Sequence, residues 1–188
     1  MIHFAIRRAA TVLVGLASLA AAPRAHAQLT VELRGGAAIG AYEATTAGLQ
    51  TVPGPAFGAT LGYSVRPNLE LFAGYSRASF GCNQGFCDTV RPTFTAAGAE
   101  AGVRVELPAR IWVRGALAMQ SLGADSDAAD ETSDAGVGLK VGAGLGFPLG
   151  RRISVTPGVE YTRFNTNLDD GDDGVGVLTA GLGLRLRF

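Results

Sequence analysis

The sequence predicts an all-β fold: an eight-stranded antiparallel up-and-down barrel that crosses a membrane, preceded by a cleavable leader. Three observations predict it. Apolar and polar residues alternate with period two in eight separate segments. The connections alternate between tight turns and long polar loops. The composition pairs 47% hydrophobic residues and 27 glycines with only 17% charged residues, too apolar for disorder and too glycine-rich for a helical bundle. At 188 residues the chain has room for one domain after its leader.

Residues 1–27 read as a secretory signal peptide. Arg7 and Arg8 form a basic head, Ala9–Ala22 supplies apolar and small residues, and Ala25-His26-Ala27 is an A-x-A cleavage site before Gln28. Cleavage leaves residues 28–188 as the barrel domain. Both histidines, His3 and His26, leave with the leader. Losing Arg7, Arg8 and Arg24 takes the basic residues from 16 to 13 against 16 acidic ones, and this mild acidity argues against nucleic acid as a partner.

The strands follow in order. In the first, Leu29, Val31, Leu33, Ala37 and Ile39 oppose Thr30, Glu32 and Arg34. The second sets Phe57, Ala59, Leu61, Tyr63 and Val65 against Gly58, Thr60, Gly62 and Ser64. The third sets Leu69, Leu71, Ala73 and Tyr75 against Glu70, Gly74 and Ser76, with Phe72 as an exception. In the fourth, Ala97 to Val105 oppose Glu100, Arg104 and Glu106; in the fifth, Ile111, Val113, Leu117 and Met119 oppose Arg110, Arg114 and Gln120. The sixth sets Val137 to Phe147 against Lys140 and five glycines. The seventh has Ile153, Val155, Val159 and Tyr161 against Ser154, Thr156 and Glu160. The eighth sets Leu178, Ala180, Leu182, Leu184, Leu186 and Phe188 against Thr179, glycines, Arg185 and Arg187. Tight turns fall at 66–68, 107–109 and 148–152, and long loops at 43–54, 77–92, 123–134 and 164–173.

Alternation alone fits two arrangements. A soluble barrel turns the apolar face inward around a lipid pocket, whereas a membrane barrel turns it out to lipid. Three features favour the membrane. Phe57, Tyr75 and Tyr161 are expected near the long loops and Tyr63, Phe147 and Phe188 near the short turns, as two interfacial belts. Glycines such as Gly138, Gly142 and Gly144 on the polar face make room for long charged side chains in a narrow interior. The last strand ends Leu182-x-Leu184-x-Leu186-x-Phe188.

The leader, the eight strands and the terminal phenylalanine resemble the small bacterial outer-membrane β-barrel superfamily of the OmpA and OmpX type, over the entire mature chain. The resemblance implies outer-membrane localisation, with both termini periplasmic and four loops outside. It also implies contact with outer-membrane lipid and lipopolysaccharide, and a monomeric barrel. Phe188 then belongs to the signal read by the barrel-assembly machinery. Unlike in OmpA, no peptidoglycan-binding domain is expected after the last strand.

Glu32, Arg34, Glu70, Glu100, Arg104, Arg114, Lys140, Glu160, Arg185 and Arg187 all lie on the face opposite the apolar series and so inside a membrane barrel. Enclosed charges must pair, because an uncompensated buried ion costs several kcal/mol. They form either a salt-bridge plug or the lining of a narrow solute or ion path. Cys82 and Cys87 bracket four residues in the second long loop and are expected to form a disulfide outside the cytoplasm, stiffening a loop tip that displays Phe80 and Phe86 to a surface ligand or packs them within the loop. Two cysteines without histidine make a poor zinc site. Two loops are acidic, one with Asp125, Asp127, Asp130, Glu131 and Asp134 and the other with Asp169, Asp170, Asp172 and Asp173; in the latter, Asn165-x-Asn167-x-Asp169 is followed by Asp170 where a calcium loop needs glycine, and no glutamate closes the ring. They read as solvated anionic loops or as divalent-ion bridges to lipopolysaccharide phosphates. No metal or cofactor is expected. With no histidine in the mature chain and no G-x-S-x-G elbow, no enzymatic activity is expected either.

Overall fold

The computed structural model describes residues 29–42, 51–82, 93–125, 130–167 and 172–188. Eight long strands carry the fold: β1 (Leu29–Tyr42), β2 (Gly54–Arg66), β3 (Leu69–Cys82), β4 (Thr93–Glu106), β5 (Ile111–Asp125), β6 (Gly136–Leu145), β7 (Ile153–Asn167) and β8 (Asp172–Arg187). Three short pieces add to them. Thr51–Val52 pairs with the end of β3, Asp130–Thr132 with the end of β5, and Phe147–Pro148 with the start of β7. Each long strand is antiparallel to its neighbour in sequence, and β1 pairs with β8 from Thr30↔Arg187 to Tyr42↔Val175, closing the sheet. Closure removes the unpaired backbone edge that hydrocarbon would not tolerate.

The faces sort as a bilayer requires. Leu61, Leu117, Val137, Leu139 and Leu182 point outward and are each 58–67% exposed, a contiguous apolar surface that only lipid would cover. On the opposite face Glu32, Glu70, Glu100, Arg104, Arg114, Lys140 and Arg185 point inward and are buried. This rules out the soluble lipid-binding alternative, which needs the opposite arrangement.

The strands run further than the alternation in the sequence suggests. Residues 77–82, 123–125 and 164–167 were expected in loops but continue β3, β5 and β7, and β4 begins at Thr93, ahead of Ala97 where its alternation was expected to start. The reason is a change of phase in polarity. Below Tyr75, Met119 and Tyr161 the outward residues are apolar; above them Arg77, Ser79, Thr95, Ser121, Arg163 and Asn165 point out, while Ala78, Phe80, Phe94, Leu122 and Phe164 point in. The ladder continues past the hydrocarbon, where the outer face meets water and the inner face can be apolar. Tyr75 and Tyr161 therefore sit near the middle of their strands rather than at the ends, marking the level at which the outer face turns polar.

Candidate functional site in the barrel lumen

Alternation places one residue in two inside, and in a barrel of eight strands these side chains fill the interior. They stack here in three levels.

The level nearest the short turns joins β1, β3, β4, β7 and β8. Arg104 Nη1 donates to Glu32 Oε2 at 2.7 Å, and Thr156 Oγ1 donates to Glu32 Oε1 at 2.8 Å. Glu70 accepts from Thr30 Oγ1 at 2.7 Å and from Arg185. Arg185 also meets Glu106, which lies 3.6 Å from Arg187 at the rim.

The middle level is centred on Glu100. Its Oε1 accepts from Arg34 Nη2 at 2.6 Å, and its Oε2 is held by Lys140 Nζ and by Ser76 Oγ at 3.2 Å. Arg34 Nη1 donates to Glu160 at 2.5 Å, and Arg114 lies against the same carboxylate. Lys140 and Gln120 both donate to Ser76 Oγ, at 2.8 and 3.2 Å. Six strands are thus tied across the lumen through one network. Trp112 separates the two charged levels. The Arg104 guanidinium lies 4.6 Å from its ring centre and that of Arg114 5.9 Å, while its Nε1 donates to Leu145 O at 3.1 Å. Arg114 also lies 5.4 Å from the Phe72 ring. Such cation–aromatic contacts strengthen when dry.

Glycines make this packing possible. A Cβ on Gly144 or Gly158 would run into the Trp112 ring, and one on Gly62 would meet the Glu70 carboxylate. The level nearest the long loops is apolar: Ala38, Ala56, Phe80, Ala96, Leu122, Phe164, Val175 and Val177 are buried together. Phe80 and Phe94 stack with centroids 5.8 Å apart, and Phe80 fills the space over Gly40.

All ten charged residues singled out in the sequence point inward; nine lie within the barrel, while the Arg187 side chain is 40% exposed at the rim. Their pairs could not be read from the sequence. Trp112 was passed over as a lumen residue, Phe72 was noted only as an exception to the alternation, and Glu106 was placed on the polar face but not among the interior charges. Their parity with Glu100, Arg114 and Glu70 along the same strands was the available signal. Phe80, expected on a loop tip, is instead 5% exposed inside the barrel, because β3 continues to Cys82. Cys87 and Phe86 fall outside the described residues, as do Asp127, Asp169 and Asp170, so the expected disulfide and much of the acidic loops lie there too. Phe188 is 65% exposed, with its backbone N–H donating to Leu29 O at 2.9 Å.

Comparison with known proteins agrees with this architecture. The family described as outer membrane protein beta-barrel domain matches residues 9–188. Among solved structures, the chain is similar to neisserial surface protein A, with 17% identity and a TM-score of 0.60 over 85% of this chain and 97% of that one. It is similar to Ail, the attachment invasion locus protein of Yersinia pestis in complex with the heparin analogue sucrose octasulfate, with 16% identity and a TM-score of 0.55 over 85% and 99%. It is also similar to the N-terminal β-barrel domain of Pseudomonas aeruginosa OprF, with 17% identity and a TM-score of 0.51 over 87% and 100%. At these identities the likeness concerns the fold. No curated protein matches the sequence.

Proposed function

The chain belongs to the outer membrane protein β-barrel domain family of the bacterial outer membrane, and from that premise we propose that it is a sealed barrel with a structural and surface-interaction role. One observation carries this reading: the lumen is filled at three levels by residues from opposite walls. The interior void bordered by Arg34, Ser76, Lys140 and Glu160 has a volume of only about 60 Å³, room for a few water molecules. A permeant ion would have to pull apart Glu100 from Lys140 and Arg34 and then pass the Phe80–Phe164 cluster. Both steps are opposed by the desolvation of buried charge and by tight apolar packing.

The working parts are then the outer band and the loops. The barrel acts as a monomer embedded in lipid and lipopolysaccharide, delivered by the barrel-assembly machinery through its exposed Phe188. A Cys82–Cys87 disulfide stiffens the second loop for contact with a surface ligand, and the acidic loops meet lipopolysaccharide through divalent ions. The fold is shared with Ail, whose name records attachment and invasion. No step of this role calls for catalysis.

The test is solute flux through phosphatidylcholine liposomes carrying the refolded, oxidised protein, with insertion checked by the heat-sensitive shift of an unboiled gel sample. Leakage no greater than from protein-free liposomes is expected. Flux above that level, altered by Lys140→Ala, would make the protein a channel instead.

A further inference from the structure

Positive charge accumulates at the short-turn end of the lumen beyond what the ion-paired levels use. A cavity of about 240 Å³ opens there, lined by Arg104, Arg110, Arg151, Arg152, Arg185 and Arg187 with Glu106 as its one acidic residue. Arg104 is held by Glu32, Arg185 by Glu70 and Glu106, and Arg187 shares Glu106. Arg110, Arg151 and Arg152 enter no ion pair among the described residues, so three cations are in excess around one concave mouth. Low-dielectric walls focus such a field and concentrate anions.

The mouth is built from two connections, the β4–β5 and β6–β7 turns, and the end of β8. Gly146 N donates to Arg110 O at 2.7 Å, and Arg187 N donates to Arg152 O at 2.8 Å, which fixes the backbones that carry these arginines. Ala109 and Arg110 adopt φ of 60° and 63°, a left-handed pair that costs residues with a Cβ about 1 kcal/mol or more each. Glycine would serve the turn better, yet an arginine occupies the position lining the cavity. Trp112, Leu107 and Ile153 supply apolar wall.

We propose that this mouth is a binding site for a phosphate group. Guanidinium forks match the oxygens of phosphate in pairs, and a phosphate monoester carries about −1.5 to −2 at neutral pH, closer to the three excess cations than a single carboxylate. The cavity is smaller than the roughly 300 Å³ at which drug-sized sites begin, which suits a phosphate with a small substituent. Short turns of such barrels face the periplasm, so the group comes either from a soluble phosphate or from a phospholipid headgroup of the adjoining leaflet. The site does not depend on whether the lumen conducts.

Calorimetric titration of the folded protein in uncharged maltoside micelles with inorganic phosphate tests the soluble source. Native mass spectrometry of protein released from phosphatidylcholine nanodiscs doped with phosphatidylglycerol tests the lipid source. One saturable phosphate, or one retained phosphatidylglycerol, is expected per barrel, and whichever arm binds identifies the source. Arg151→Ala with Arg152→Ala should weaken that binding about tenfold or more. Arg110→Gly should weaken it similarly while the unfolding midpoint holds or rises, because glycine accepts the left-handed backbone; this separates lost recognition from lost folding. Absence of binding in both arms, or binding indifferent to these arginine substitutions, overturns the proposal.

Discussion

Glu100 organises more of the lumen than any other side chain. It is 3% exposed and accepts from Arg34, Lys140 and Ser76, which project from three different strands. Removing the carboxylate leaves Lys140 without a carboxylate partner among the described residues, whereas Arg34 keeps Glu160. Breaking a buried pair in this way costs about 3–5 kcal/mol, far more than the pair contributes relative to apolar residues of the same shape. Glu100→Ala is therefore expected to lower unfolding stability in lipid vesicles by about that amount, and Lys140→Met in the same chain to restore part of it. A guanidinium titration of the single and double variants reads both. Equal losses that simply add would show the two groups to be independent. The charges themselves were legible in the sequence from their parity along each strand. Their pairing was not, because it depends on strand tilt and on which residues across the lumen share a level: Arg34 is 66 residues from Glu100 and 126 from Glu160.

At the scale of the element, the strands were legible where one face meets lipid and obscured where both environments change. Along β3 the outward sequence Leu69, Leu71, Ala73, Tyr75 gives way to Arg77 and Ser79, while the inward sequence turns from Glu70 to Ala78 and Phe80. Period two persists, but its sign reverses, and a reversal reads as a polar loop when the apolar face alone is followed. The same reversal in β5 and β7 hid Leu122 and Phe164. The turns show the converse. The β4–β5 connection was placed correctly at Pro108, but nothing in Leu107-Pro108-Ala109 announces a left-handed backbone, because alanine and arginine rarely adopt one. That turn is strained, and Ala109→Gly should raise the stability of the folded barrel by about 1 kcal/mol, read as a higher denaturant midpoint with unchanged slope. A lower midpoint would mean that the left-handed pair is not populated in the membrane.

For the molecule as a whole, the two kinds of closure oppose permeation for different reasons and sit at different heights. The ion-paired levels lie within the lipid-facing band, where the surrounding hydrocarbon leaves each charge dependent on its partner. The apolar cluster lies above Tyr75 and Tyr161, where the strands have left the hydrocarbon and the barrel behaves as a water-soluble β-structure with its own small core. Seals in series are redundant, so opening one should not open the pore. Phe80→Ala with Phe164→Ala removes the largest side chains of the cluster and exposes the middle charged level to the outside, yet Glu100, Lys140, Arg34 and Glu160 still span the lumen. Planar bilayers carrying that double variant, first shown to be folded by its gel shift, are expected to stay as electrically silent as those with the parent protein. Adding Glu100→Ala is expected to leave them silent too, since Arg34 and Arg114 keep Glu160 and the level of Glu32, Arg104, Glu70 and Arg185 still spans the path. Conductance from the phenylalanine variant alone would assign the seal to the apolar cluster and leave the ion pairs with the tasks of register and stability.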